Sequence, residues 1–196
     1  MTPEDVLGFW IGERSAEPPS DDRVARWFVA DPLLDAEIER RFAGAVARAL
    51  AGDLDAWAAA PPERVALIVL LDQFPRNLFR GDRRAFLGDP RALALSQATD
   101  DAECEALHPL EHYFVLLPTM HAEDLAAQRA GEAAYARAAE RRGPAFRPLF
   151  ENGLDFATRH RVVIERFGRF PHRNAALGRA STAEERAFLE EEGSGF

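Results

Sequence analysis

Three observations predict an all-α protein. Helix-start signals recur from one end of the chain to the other, the apolar residues between them keep a helical period, and no segment offers a second strand to pair with. In chain order, Thr2-Pro3-Glu4-Asp5 supplies an N-cap, a proline at the first helical position and acids in the first turn, ahead of Val6, Leu7, Phe9 and Trp10. Ser20-Asp21-Asp22 and Asp31-Pro32 repeat that pattern, and after the second of them Ile38, Phe42, Val46 and Leu50 fall four apart. The run Val65–Leu71 is apolar at every position and suits a buried strand as well as a buried helix. Pro61-Pro62-Glu63 ahead of it reads as a helix start, which makes the run a central buried helix. Asp89-Pro90 opens another helix, and Thr119 is placed to cap one that carries His121 and Gln128 on one face. Phe156, Val163, Ile164 and Phe167 then lead up to Gly168, a helix stop, and Ser181-Thr182-Ala183-Glu184 has the form of a capping box. The sum is roughly eight to ten helices in one domain over 1–196, without a 34-residue repeat in register; Glu190-Glu191-Glu192 reads as a solvated tail.

Composition narrows the chemistry. All 24 basic residues are arginine, so Schiff-base catalysis, a pyridoxal-phosphate anchor and a phosphate loop with its Gly-Lys-Ser/Thr are excluded. A net charge of −9 argues against a nucleic-acid binder, whose surface carries a basic excess. A lone cysteine, Cys104, rules out a disulfide framework and suits a reducing cytosol; the longest apolar run is far too short for a bilayer, so a cytoplasmic protein with no membrane partner is expected.

Functional residues are expected where a good helical pattern is broken, and three segments break it. In 71–81 the most apolar helix ends in Asp72, Gln73, Arg76, Asn77 and Arg80 among aromatic residues, with Pro75 set to stop the helix and turn the chain. Buried Asp72 and Gln73 need partners, and Arg76, Asn77 and Arg80 are the nearest; a purely structural Asp–Arg network at a helix corner is the competing reading. In 159–179 six arginines and two histidines stand against one acid, Glu165, with Arg169, His172, Arg173 and Asn174 in a turn and Arg179 after Gly178. His160 sits on the packed face of its helix. Guanidinium forks and amide donors suit a carboxylate or phosphate. In 117–128, His121 near a helix N-terminus would stay neutral, since the dipole disfavours imidazolium there. His108-Pro109-Leu110-Glu111-His112 matches the inverted zinc-protease pattern, but Pro109 makes His108 a cap rather than a ligand one full turn from His112.

Together, Leu71 to Gly81, Leu117-Pro118 with His121-Ala122-Glu123 and Gln128, and Arg166 to Asn174 through Leu177-Gly178-Arg179 and Ser181-Thr182 resemble a bacterial family known as domain of unknown function 924. The likeness runs from Val6-Leu7-Gly8-Phe9-Trp10 and Trp27-Phe28 to Gly193-Ser194-Gly195-Phe196. It implies a divergent tetratricopeptide-like helical fold and brings no reaction, cofactor or catalytic residue. Where the family commonly has His-Ser-Glu this chain has His121-Ala122-Glu123, which removes a serine nucleophile.

The three segments are therefore expected to converge on one pocket for a small anionic ligand. Its lining would draw on Asp72, Gln73, Arg76, Asn77, Arg80, Gln128, His160, Arg169, Arg173, Asn174 and Arg179, with His121 and His172 as acid–base groups and no cofactor. Two alternatives stand beside it: a helical interaction module for a protein or peptide, and a metal-dependent hydrolase using His121, Glu123, His160 and His172.

Overall fold

The computed structural model describes residues 1–191; Glu192 of the expected tail and the terminal 193–196 of the family likeness lie outside the described residues. Helices α1 (Pro3–Trp10), α2 (Asp21–Phe28), α3 (Pro32–Ala51) and α4 (Pro61–Ile68) precede a π-helical segment, Val69–Gln73. Then come α5 (Phe74–Leu78), α6 (Asp89–Gln97), α7 (Asp101–Ala106), α8 (Pro109–His121), α9 (Leu125–Arg141), α10 (Arg147–Phe167), α11 (Asn174–Leu177) and α12 (Ala183–Leu189). No strand occurs among the described residues. The count exceeds the expected one because α5, α7 and α11 have only five, six and four residues, too few to display a period.

Most starts act as the sequence implies. Thr2, Ser20 and Asp31 cap α1, α2 and α3, the first with a reciprocal capping box through Asp5. Two starts are shifted. The capping box of α12 pairs Thr182 with Glu185, one residue beyond the expected one. Thr119 caps nothing: Pro118 lies inside α8, the Thr119 hydroxyl donates to the Leu116 carbonyl, and Asp124 caps α9 by accepting from the Ala127 amide. His121 therefore ends α8 instead of beginning a helix. Gln128 closes that end, its amide nitrogen donating to the carbonyls of Met120 and Ala122, which have no helical donors there.

Val65–Leu71 is fully buried, at the centre of a core that joins Trp10, Phe42, Phe74, Phe114 and Phe150. Pro75 does not stop this helix. The chain widens into the π turn, where the Phe74 amide bonds the Val69 carbonyl five residues back, and continues into α5. The wider turn seats a residue without an N–H and turns Asp72 and Gln73 to new positions. On the other side, α8 packs on α4, α6 and α9, and α9 lies along α10. A smaller apolar cluster of Val163, Ile164 and Phe170, with Leu125, Phe167 and Phe188 against it, fixes the segment after Gly168 onto the end of α10. That attachment carries His172 and Arg173 back toward the π turn.

Candidate functional site

Asp72 is wholly buried, and its carboxylate is surrounded by donors. The Gln73 amide donates to Oδ2, the Arg76 guanidinium lies 3.3 Å from Oδ1, and His121 Nδ1 stands 2.7 Å from the same oxygen. Burial alone would raise the carboxyl's pKa, but Arg76, His121 and Gln73 reverse this and hold it well below the usual carboxylate value. An ionised carboxylate only accepts, so His121 Nδ1 carries the ring's hydrogen. Burial first, then Arg76, keeps the imidazole from charging, against the pull of Asp72. The C-terminal position in α8 would by itself favour imidazolium. Burial, and not a helix dipole, is thus what favours the neutral form of His121.

Asp89 is the hinge of the second layer. Arg76 meets it with both terminal nitrogens, at 2.9 and 3.0 Å, and Arg173 reaches it from the opposite segment through Nη1 at 3.0 Å. In the sequence Asp89 shows only as a helix start. It is the first residue of α6, and Gly88 is the position that lets it come so near. A Cβ on Gly88 would stand 2.1 Å from the Leu71 carbonyl oxygen, so only glycine allows α6 to begin against the π turn.

Around this knot lies a cavity of about 250 Å³, lined by Gln73, Arg76, Asn77, Arg80, His121, His160, His172 and Arg173 together with Trp27, Phe28, Val29 and Phe86. Residues from all three broken segments meet in it. Arg80 and Asn77 turn to Asp35 of α3, Arg80 with two bonds at 2.6 and 2.9 Å and the Asn77 amide at 2.8 Å, not to Asp72. His160 Nδ1 donates to the Phe156 carbonyl at 2.7 Å, and burial lowers its pKa to about 3. Burial, followed by Arg173, lowers that of His172 to about 4. Arg173 is itself buried and stacks on Phe86 and Phe170, its guanidinium carbon 4.6 Å from each ring centroid. Its Nε has no partner among the described residues.

The same three segments lie within a match, over residues 6–193, to the model of the family described as bacterial protein of unknown function (DUF924). This chain belongs to that family. Among solved structures it is similar to a protein of unknown function from Agrobacterium tumefaciens, at 37% identity over 96% of each chain and a TM-score of 0.76. No curated protein matches it.

Not every expected ligand residue of this DUF924 chain reaches the cavity. Asp72 lies behind the lining, and Gln128 is used at the end of α8. Arg169 forms two bonds to Glu185, Asn174 donates to Ser181 and Glu185, and Arg179 clamps Glu123 at 2.6 and 2.8 Å. These residues latch the 169–185 segment to the body, and their charge is met by the protein's own acids. Glu123 also accepts from the Phe170 amide, so both of its oxygens are engaged by Phe170 and Arg179. Among the described residues no three His, Cys, Asp or Glu side chains gather as a metal site, although His121, His160 and His172 line the same cavity, the first two with ring centroids 6.3 Å apart. His108 caps α8 as the proline implied, with Glu111 completing the box, and His112 accepts from Arg142. Sequence reasoning misses Asp89, Asp35, Trp27, Phe28, Val29 and Phe86 as site residues. Only Trp27-Phe28 carries a signal, as part of the family likeness.

Proposed function

We propose that the cavity binds a small molecule bearing a carboxylate or phosphate, with Arg173 as its principal donor. The observation that carries this reading is the state of that guanidinium. Nη1 is taken by Asp89, while Nε is buried without a partner and Nη2 has none among the described residues. The Nε–Nη2 side is the edge that meets an oxyanion with two parallel hydrogen bonds. Leaving a buried charged donor unmade costs roughly 1–3 kcal/mol, which a bound oxyanion would recover. Stacking on Phe86 and Phe170 holds the plane of the fork before the ligand arrives. Arg76 and Arg80 add positive charge, although their acids offset it. His121 and His172, uncharged at neutral pH, stand in the same lining as acid–base groups. An interaction module whose polar motifs only lock helix corners would leave no such edge open.

The test is the affinity of propionate and propyl phosphate, measured by calorimetry on the wild type and on Arg173→Lys. Lysine keeps the charge and loses the fork, so binding is expected to weaken at least about tenfold. Binding by the wild type of neither these probes nor their hydroxylated counterparts glycerate and glycerol 3-phosphate, or equal binding by both proteins, sinks the reading.

A further inference from the structure

The lining is richer in acceptors than an anion site requires, and two carboxylates are the cause. Asp72 accepts from the side-chain amide of Gln73, and Asp35 accepts from that of Asn77 at 2.8 Å. Since both carboxylates only accept, each amide must present its NH₂ group to them. The carbonyl oxygens Oε1 of Gln73 and Oδ1 of Asn77 are then left without a partner among the described residues, on side chains that line the cavity. His121 follows the same rule. With its hydrogen on Nδ1 facing Asp72, the neutral ring offers a bare lone pair at Nε2, which also has no partner among the described residues. Three acceptors thus line the same cavity as Arg173, whose buried Nε has no partner among the described residues.

From this polarity we infer that the ligand is a small hydroxylated oxyanion. Its carboxylate or phosphate meets the Nε–Nη2 edge of Arg173, and its hydroxyl groups donate to His121 Nε2, Gln73 Oε1 and Asn77 Oδ1. The inference rests on the oxyanion reading above and adds to it the part of the ligand that is not the anion. Asp72 is a positioning residue in this scheme: it acts on the ligand only through the tautomer of His121 and the orientation of Gln73. An acceptor buried beside a ligand that lacks a donor is left unpaired, and for that reason a site built to bond a hydroxyl rejects the deoxy analogue strongly.

Two matched pairs separate the terms in the wild-type protein: glycerate against propionate, and glycerol 3-phosphate against propyl phosphate. The hydroxylated member of at least one pair is expected to bind tenfold or more tightly than its deoxy partner, and the pair that responds identifies the anionic group. His121→Phe removes the Nε2 lone pair together with the Nδ1–H bond to Asp72; it should cut that preference, read as the ratio of the two affinities within a pair, severalfold. Asn77→Ala, at a less buried position, should do the same in part. Long-range ¹⁵N–¹H spectra of the free protein should place the hydrogen of His121 on Nδ1. Equal affinities within both pairs, or a hydrogen on Nε2, overturn this inference and leave the oxyanion reading standing. Failure of all four probes to bind overturns that reading as well.

Discussion

At the scale of single residues, the arginines divide into two kinds that composition does not distinguish. Arg76 and Arg173 converge on Asp89 with their forks, whereas Arg137 and Arg141 lie about half exposed against Asp101 and Glu105. Restoring lysine tells them apart. Arg76→Lys loses the two-bond geometry at Asp89 and is expected to cost about 2 kcal/mol in denaturant unfolding. Arg137→Lys and Arg141→Lys should leave the midpoint unchanged, because exposed pairs contribute little. Equal tolerance at both groups would leave the Asp89 knot without energetic weight. Asp72→Ala is expected to be worse than any of these, by roughly 3–5 kcal/mol, since it leaves the His121 Nδ1–H and the Gln73 amide without an acceptor beside a buried gap and takes from Arg76 one of its two carboxylates. An unfolding midpoint close to wild type would show that Arg76 finds solvent instead. Asp72, Arg76 and Arg173 are legible in the sequence because polar residues there interrupt an apolar pattern. Arg169 and Arg179 look the same in the sequence but meet Glu185 and Glu123, acids brought near only by the fold. Asp89 is hidden for the opposite reason: an acid before a proline is so good a helix start that nothing else about it draws notice.

At the scale of elements, the π turn and the start of α6 determine the site. A proline after a buried helix signals a break, and the sequence has no feature that announces a widened turn. The extra residue in that turn is what takes Asp72 out of the apolar wall and lets it face His121. The approach of α6 depends on Gly88, whose φ of −84° and ψ of −14° are open to any residue. The need for glycine there is one of contact, not of backbone angle. Gly88→Ala would press a methyl group on the Leu71 carbonyl oxygen, which is main chain and cannot swing aside. We expect a loss of at least about 2 kcal/mol, as for an overpacked core, together with a displaced Asp89 and weaker binding of propionate or propyl phosphate. Full stability in that variant would mean that α6 can start farther out without loss, and the account of how Asp89 is placed would fall.

For the whole molecule, the buried histidines set how stability depends on pH. Burial first, and then Arg142, lowers the His112 pKa from the usual 6.5 to about 4, and burial, followed by His121, lowers that of His160 to about 3. In the unfolded chain both rings take up protons near pH 6.5, while the folded protein refuses them until far lower. The unfolded state therefore binds more protons throughout that interval, and stability must fall as pH drops from 6.5 toward 3–4. Each tenfold difference in proton affinity between the folded and unfolded chain is worth about 1.4 kcal/mol, so the two rings together account for a loss on the order of 8 kcal/mol, comparable to a small domain's total. Asp72 and Glu123, whose pKa values are lowered by Arg76 and Arg179 against the effect of burial, extend the decline to lower pH. At the alkaline end, burial raises the Cys104 thiol from 9.0 to about 11, so stability falls again once the unfolded thiol begins to ionise above pH 9. A plateau between about pH 6.5 and 9 is the expected outcome of urea unfolding across the range. His112→Gln should flatten the acid limb by removing one of the rings that must charge. If the midpoint at pH 5 equals that at pH 7.5, these imidazoles are not held neutral by burial, and the bare acceptor assigned to His121 loses its physical basis with them.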